Sequence, residues 1–372
     1  MRLFARPNLW SSGVAAPLFS LVLLCSLQAG AGTLYSIETL GPLGSGGGNA
    51  AAFNTSGTAV GFIIDQSGAL LPASFSNGIT TPLSGYGLAN GINSSGTAIG
   101  TTINTQGNTV TEWSQGVAVN MNINGYGNSI NDSGQIAGSY QPSGNQSRAF
   151  VWTNGTLQDL GTLGGDWSSA YAINAGGQVA GTSSLADGTF HGFLSTGSGL
   201  HDLGTVGGQS SYATGLNNVG GVVGLAQTSS GYLNAFSWTA AGMVDLGTLG
   251  GTTSGAYGVN DSGVVVGYSL TADGVRHGFV DTAGVMVDLN SLLPVGSGWV
   301  INDAYAIDDA GNIVGTGSYL GQSYAIDLQP SALTGTPSAA STPEPSSLLL
   351  AGTGLLLAGF GFRRKFRQPE TL

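Results

Sequence analysis

The chain has 372 residues, of which 65 are glycine and only 7% are charged, and its formal net charge is −11. Eight lysines and arginines are too few to neutralise a phosphate backbone, which excludes nucleic-acid binding. Glycine at this frequency breaks helices, and a hydrophobic content of 41% is too high for classical disorder. The composition therefore predicts an all-β protein of short strands and many turns.

The first 31 residues have the three parts of a secretory signal peptide. Arg2 and Arg6 form a positive start, residues 14–27 form an apolar segment, and small residues precede a cleavage site after Ala31. An uncleaved anchor is the alternative, although the apolar segment is short for a span of about 20 residues. Cleavage would remove Cys25, the single cysteine, so the exported chain would contain no disulfide.

Two short motifs recur along residues 32–329 at intervals of about 43 residues. One is Asp-Leu-Gly-Thr-Leu-Gly-Gly, or the same motif with Val in fifth place, and it begins at Asp159, Asp202 and Asp245. The other is Asn-x-x-Gly-x-x-x-Gly, which begins at Asn54, Asn93, Asn131, Asn174, Asn217 and Asn260, with an Asp-led version at Asp308. Seven units therefore cover this region, which indicates a repeat architecture.

Each unit contains four short segments of strand character, separated by turns rich in Gly, Asn and Asp. In the fourth unit the predicted strands are residues 170–174, 178–183, 189–195 and 200–205. Four strands in about 43 residues match one blade of a β-propeller, so the sequence predicts seven four-stranded blades. The last unit lacks a fourth strand, which the N-terminal segment Leu34–Leu40 would supply as an outer strand that closes the ring. An open β-solenoid is the alternative architecture.

The charge of the mature region differs from that of the whole chain. Between Gly32 and Thr342 the basic residues are Arg148 and Arg276, against seventeen acids, which gives a net charge of −15. Such a surface repels acidic polymers at low salt unless a divalent cation bridges the two.

The candidate ligand-binding residues are Trp167, Tyr212 and Tyr232. If the units form a ring, these aromatics lie in or near the loops that join successive units and the second strand to the third, all on one face. Aromatic rings there are suited to stacking on sugar rings. The alternative is that these loops only connect the blades.

No catalytic residue, metal ligand set or resident cofactor is predicted, because nucleophile, dinucleotide and nucleotide motifs are missing from the sequence. The alternative is a calcium-binding protein, for which Asp303, Asp308 and Asp309 form the nearest acidic cluster. Asp303 and Asp309 are also the nearest candidates for a pair of axial carboxylates. His191 and His277 are interpreted as hydrogen-bonded structural residues.

The C-terminal segment has three parts that follow a flexible linker, residues 330–342. Pro343, Glu344 and Pro345 come first, an apolar segment of residues 346–362 comes next, and Arg363, Arg364 and Lys365 begin a basic tail. A segment of this length and polarity predicts a transmembrane helix with its basic end in the cytoplasm.

The order of these three parts resembles the PEP-CTERM sorting signal of Gram-negative bacteria. That resemblance implies processing by exosortase, a membrane protease. The chain would be transiently anchored in the inner membrane and then delivered to the cell surface or the extracellular matrix.

The repeats resemble the HAF extracellular repeat family, named for His-Ala-Phe. Its signature corresponds here to the tripeptides that begin at Arg148, His191, Asn234 and His277, with Phe75 and Trp113 at this place in the first two units. The resemblance implies an exported repeat protein without known enzyme chemistry. The expected function is non-enzymatic binding or structural support linked to exopolysaccharide or biofilm matrix. The alternative is a polysaccharide-active hydrolase or lyase that uses axial carboxylates.

Overall fold

The structure is a computed structural model that describes residues 34–142, 146–197 and 199–331. All of these residues belong to one compact unit of the chain. The predicted signal peptide with its cleavage site at Ala31 lies outside the described residues, as do the sorting signal of residues 343–372 and most of the linker.

The described residues form 27 β-strands and one short 3₁₀ helix, Leu289–Leu292. The first eight strands are β1 (Leu34–Pro42), β2 (Gly48–Phe53), β3 (Ala59–Ile64), β4 (Leu70–Ser76), β5 (Ile79–Pro82), β6 (Gly87–Ile92), β7 (Ala98–Asn104) and β8 (Gly107–Ser114). The next eight are β9 (Val117–Ile130), β10 (Ile136–Tyr140), β11 (Arg148–Thr153), β12 (Thr156–Gly161), β13 (Gly164–Ile173), β14 (Val179–Leu185), β15 (Phe190–Ser195) and β16 (Leu200–Asp202). The remaining strands are β17 (Gly207–Leu216), β18 (Val222–Thr228), β19 (Leu233–Thr239), β20 (Gly242–Gly247), β21 (Gly250–Val259), β22 (Val265–Thr271), β23 (Arg276–Thr282), β24 (Val285–Asp288), β25 (Trp299–Ile307), β26 (Ile313–Tyr319) and β27 (Gln322–Ser331).

These strands form an all-β propeller, but the predicted number of blades is wrong. Five sheets are four-stranded blades, in the orders β2–β5, β13–β16, β17–β20, β21–β24 and β1-β27-β26-β25. The residues predicted to form two further blades instead make one seven-stranded sheet, β6–β12. The prediction of seven four-stranded blades is therefore replaced by five such blades and one continuous larger sheet.

The larger sheet arises because β9 is a single strand of fourteen residues. Its first half pairs with β8 and its second half, from Gly125, pairs with β10. The cause lies in the sequence, since Asn120 precedes the next repeated asparagine by 11 residues, whereas the equivalent Asp159 precedes Asn174 by 15. The connection lacks the Thr-Leu-Gly-Gly loop of later units, so the chain passes from one unit to the next within a single strand.

The first strands of successive units surround the axis of the propeller. Contacts run from β2 to β6, β9, β13, β17, β21 and β25, and β25 contacts β2. At the join, β1 pairs antiparallel with β27, for example Ile37 opposite Leu328. The N-terminal outer strand predicted from the sequence therefore completes the last sheet and links the two ends of the described chain.

The repeated asparagine holds its own turn and the neighbouring unit together. The Oδ1 atom of Asn174 accepts a hydrogen bond from the Gln178 backbone nitrogen at 2.9 Å, while its Nδ2 atom donates to the Asn217 carbonyl at 3.0 Å. Equivalent bonds to the next unit are donated by Asn54, Asn131, Asn217 and Asn260. Each buried amide thus satisfies a backbone group that would otherwise be unpaired between units.

The two glycines of the same motif have different physical roles. Gly177 adopts a φ of +75°, which a residue with a side chain rarely adopts. A Cβ on Gly181 would overlap the Ser169 carbonyl oxygen and lie 2.6 Å from Cζ of Phe193. The first glycine therefore permits the turn. The second leaves room for a buried phenylalanine ring to pack against the backbone of the neighbouring strand.

That phenylalanine forms the core between units in the middle of the chain. Phe193 is fully buried and lies opposite Gly181 in the register of β14 and β15. The sequence predicted Phe75 and Trp113 at this position in the first two units, and that prediction is wrong. They lie opposite Ala59 and Ala98, two residues further along, because Ala73 and Thr111 occupy the phenylalanine position.

A paired-acid contact at the closing strand predicts a measurable pH dependence. Burial raises the pKa of Asp327, and the charge of Glu38, its cross-strand partner, raises it further against an opposing hydrogen bond from Gln329. A folded-state pKa above the unfolded value means that stability falls as pH rises through that interval. Asp327→Asn should remove this slope and stabilise the protein at pH 7 by on the order of 1 kcal/mol or less.

Thermal unfolding from pH 3 to 8 measures this effect. Glu38→Gln is the matched comparison, because it removes the neighbouring charge and leaves Asp327 buried, so only part of the slope should disappear. An Asp327→Asn variant with the pH slope of the wild type would show that this carboxyl group does not cause it.

Candidate functional site: an aromatic row and its neighbouring groove

Three aromatic rings form a row that joins two neighbouring sheets. The Trp167 ring meets Phe190 edge-on at 5.5 Å between centroids, and Phe190 stacks on Tyr212 at 6.5 Å with an interplanar angle of 22°. All three side chains are partly exposed. The structure therefore brings together two of the three residues predicted from the sequence, Trp167 and Tyr212, through a ring that the sequence analysis missed.

Serine hydroxyls fix the backbone that carries this row. The Trp167 nitrogen donates to Oγ of Ser184 at 3.0 Å, and Ser184 donates back to the Trp167 carbonyl at 3.2 Å. Between this sheet and the next, the Gly192 nitrogen donates to Oγ of Ser211 at 2.9 Å. That bond joins β15 to β17 and holds Phe190 beside Tyr212.

A groove of about 340 Å³ lies next to Trp167. Its lining combines aromatic rings with hydroxyl and amide groups, namely Tyr126, Asn128, Ser139, Gln141, Ser147, Trp167, Ser169 and Tyr171. Tyr126 and Tyr171 are about 40% exposed, so their rings are accessible from solvent. Burial raises the pKa of Tyr171, against a hydrogen bond from Ser169, and its phenol therefore stays a hydrogen-bond donor at neutral pH. Rings beside paired donors and acceptors are the features of a site for a polar ligand with flat apolar faces.

Tyr232 stands apart from the row. It is 52% exposed, and its carbonyl oxygen accepts the hydrogen bond from Thr228 that closes the turn before β19. Among the described aromatic pairs its ring has no partner. The structure thus separates the third predicted residue from the other two.

A charged cluster joins β23 to β25 at the place equivalent to Phe190. The Arg276 guanidinium lies 3.5 Å from the Tyr268 ring centroid, and its Nε donates to Asp303 at 2.9 Å while Nη2 donates to the Tyr257 hydroxyl at 3.1 Å. Burial acts to lower the pKa of Arg276, but the bonds to Asp303 and Tyr257 outweigh it and raise that pKa. Burial also raises the pKa of Tyr305, with the Asp303 charge as the second cause.

The acids considered for calcium or catalysis all hold structural bonds. Asp303 binds Arg276, Asp308 binds the Asn312 backbone and side chain, and Asp309 accepts from the Asp261 nitrogen at 2.8 Å. Over residues 34–142, 146–197 and 199–331, no group of three or more His, Cys, Asp or Glu side chains is placed to hold a metal ion.

The two histidines of the repeat join third strands to fourth strands. Nδ1 of His191 lies 2.8 Å from Oδ1 of Asp202, and Nδ1 of His277 lies 2.7 Å from Oδ2 of Asp288. The prediction that both histidines are hydrogen-bonded is confirmed.

Phe190, Tyr126 and Tyr171 are the site residues that sequence reasoning missed. Phe190 precedes His191, where the third, fifth and sixth units have Ser147, Leu233 and Arg276, so a departure from the repeat was its only signal. Tyr126 and Tyr171 lie five and three residues before their repeated asparagines, on strands β9 and β13 that contact each other.

The sequence comparison identifies the C-terminal segment. Residues 341–365 match the model of the PEP-CTERM protein-sorting motif. This range contains Pro343, Glu344, Pro345 and the basic residues Arg363, Arg364 and Lys365, all outside the described residues. Within the described part of the chain, no helix has the length and apolar character needed to cross a membrane, and the predicted helix of residues 346–362 lies outside that part. Comparison with curated proteins finds no sequence match.

Solved structures resemble the chain in fold. TolB from Acinetobacter baumannii is 12% identical over 74% of this chain, with a TM-score of 0.46, and the match covers 64% of the TolB chain. The β-propeller domain of the Trilobed protease from Pyrococcus furiosus is 7% identical over 82% of this chain and 98% of its own, with a TM-score of 0.51. The BP39L lectin from Burkholderia pseudomallei is 10% identical over 77% of this chain and 98% of its own, with a TM-score of 0.42. At these identities the likeness concerns the fold alone, and the Pyrococcus domain supports the propeller assignment. The chain is therefore a β-propeller protein with a PEP-CTERM sorting motif, which implies export through exosortase to the surface of a Gram-negative cell.

Proposed function

We propose that this protein is a non-enzymatic polysaccharide-binding protein of the cell surface or extracellular matrix, in which the row Trp167–Phe190–Tyr212 and its neighbouring groove contact the glycan. The sorting motif supports delivery outside the cell. The resemblance of the repeats to the HAF extracellular family agrees with this location. The motif also makes exosortase the partner that processes the chain near Pro343–Glu344–Pro345.

The aromatic row is the observation that carries the proposal. Trp167 and Tyr212 present partly exposed rings on either side of Phe190, and the groove beside Trp167 offers Tyr126 and Tyr171. Sugar rings have apolar faces that pack on aromatic side chains, and their hydroxyl groups bond to amides and hydroxyls of the kind that line this groove. A site extended over two sheets suits a chain of sugars.

The surface charge limits which glycans can bind. Two arginines against seventeen acids in residues 32–342 favour a neutral or cationic polysaccharide over an acidic one. An acidic exopolysaccharide would need a bridging divalent cation.

Replacing the outer rings of the row tests the function. Trp167→Ala and Tyr212→Ala should each weaken retention on the exopolysaccharide of the producing strain about tenfold, because each removes one stacking surface. The bound fraction of purified full-length protein is measured by sedimentation with the polysaccharide. Tyr232→Ala is the matched control, since it removes an exposed tyrosine outside the row and should change retention little.

The same samples distinguish binding from catalysis. Retention without new reducing ends or unsaturated products supports a binding protein. Release of such products would support the alternative, a polysaccharide hydrolase or lyase with axial carboxylates. Unchanged retention in both row variants would refute the proposed site.

A further inference from the structure

Asp281 replaces a large aromatic residue of the repeat. It lies opposite Val265 in the register of β22 and β23, as Trp238 lies opposite Val222 in the preceding unit. Phe75, Trp113 and Trp152 occupy the same position in earlier units. The sixth unit therefore has a short carboxylate where four others have a ring that fills the space between units.

The missing ring leaves a groove of about 280 Å³ between β19–β20 of one unit and β22–β23 of the next. In the preceding unit, the equivalent space contains Trp238, whose ring lies 5.6 Å from that of His201. Around Asp281 the lining is apolar on one side and hydroxylic on another, and it includes Ser237, Thr239, Val244, Leu246 and Val265. Ser237 and Thr239 also line an adjoining groove of about 430 Å³ that contains Trp238. The groove at Asp281 and the groove at Trp238 therefore share part of their lining.

The carboxylate at the base of this groove has an unused acceptor. Asp281 is 2% exposed, and its Oδ1 atom accepts a hydrogen bond from the Gly284 nitrogen at 2.9 Å. Its Oδ2 atom is buried and has no hydrogen-bond partner. A buried acceptor without a partner destabilises the folded protein, and a donor that enters the groove would remove this penalty. Burial also raises the pKa of Asp281, against the opposing bond from Gly284, as expected for a carboxyl group without a cation nearby.

We propose that this groove is a second glycan site, which binds a pyranose carrying a free amine, as in a deacetylated hexosamine. The ammonium group donates to Oδ2 of Asp281, the ring packs on Val244 and Leu246, and the ring hydroxyls bond to Ser237 and Thr239. An ammonium matches both the buried carboxylate and the acidic surface of the mature region. The site stands apart from the aromatic row, so it does not depend on the function of Trp167.

Calorimetric titration of the full-length protein with glucosamine, N-acetylglucosamine and glucose tests the site. Glucosamine should bind at least tenfold more tightly than the other two, because only it carries an ammonium. Asp281→Asn should abolish that preference. Asp281→Trp introduces the residue that three other units have at this position, so it should fold, fill the groove and abolish binding of all three sugars.

Trp167→Ala separates the two sites, because this variant should keep the preference for glucosamine over the other two sugars, which the Asp281 groove alone confers. Equal affinities for the three sugars, or no binding of glucosamine to the wild type, would overturn the proposal. So would glucosamine binding retained by a folded Asp281→Trp variant. Loss of binding only in Trp167→Ala would assign amine recognition to the aromatic row instead.

Discussion

Replacing Gly181 with alanine is expected to destabilise the protein by roughly 3 kcal/mol or more. The new Cβ would overlap the Ser169 carbonyl oxygen and lie 2.6 Å from Cζ of Phe193. Neither neighbour has room to move, since Ser169 belongs to a paired strand and Phe193 is fully buried. Denaturant unfolding of the full-length protein, followed by tryptophan fluorescence, measures the loss.

Gly188→Ala is the matched control for this substitution. Gly188 lies in the turn between β14 and β15 with a φ of +86°, and a Cβ there would meet nothing within 4 Å. Its replacement should cost only about 1 kcal/mol of backbone strain. Equal losses in the two variants would mean that steric overlap at Gly181 is not the reason for the second glycine of the motif.

The repeat spacing allowed the strands and the closing strand to be predicted from the sequence. The predicted strand of residues 200–205 is observed as Leu200–Asp202, and that of residues 189–195 as Phe190–Ser195. Asn and Gly mark each turn because the turn needs a side-chain acceptor and a positive φ, and both leave a trace in the sequence. A terminal half-unit without a partner likewise indicated that β1 completes the last sheet.

The merged sheet was harder to predict because turn residues do not reveal how a connection is oriented. The segment from Asn120 to Asn131 contains glycine and asparagine, as a turn would, and Asn122 has a φ of +57°. In the structure that residue produces a local irregularity within β9 instead of a reversal. The short length of this connection, rather than its composition, explains why β9 continues from one unit into the next.

The candidate site was only partly predictable because it depends on contacts between units. Trp167 and Tyr212 were identifiable as aromatics near loops, but the ring between them belongs to β15 and has no conserved place in the repeat. Asp281 also departs from the repeat, and its meaning emerges only from the strand register. Positions that break the repeat are thus where function is best sought in this chain, since the repeated residues are committed to the fold.

Replacing Asn217 with aspartate should destabilise the protein by about 3 kcal/mol at pH 7. Its buried Nδ2 atom donates to the Asn260 carbonyl at 2.9 Å, and Oδ1 accepts from the Gly221 nitrogen. Aspartate preserves the turn acceptor but places a carboxylate against the carbonyl oxygen of the next unit. Because the protonated acid can donate to that oxygen, the folded state should raise the pKa of the new carboxyl group. The deficit should therefore appear as pH rises above about 4 and shrink in acid.

The natural aspartate of the last unit provides the reciprocal test. Asp308 keeps the turn, since its carboxylate accepts from the Asn312 backbone and side chain, and its charge is one of those that raise the pKa of Asp327. Asp308→Asn should therefore leave stability unchanged or raise it at pH 7.

Unfolding midpoints of both variants between pH 4 and 8 decide whether loss of the hydrogen bond from the Asn217 side chain to the next unit causes the destabilisation. If Asn217→Asp were as stable as the wild type at pH 7, the turn acceptor alone would account for the repeated asparagine. The order of the two variants follows from hydrogen-bond chemistry, because the Asn217 amide donates to a carbonyl of the following unit, whereas the Asp308 carboxylate only accepts hydrogen bonds, here from Asn312.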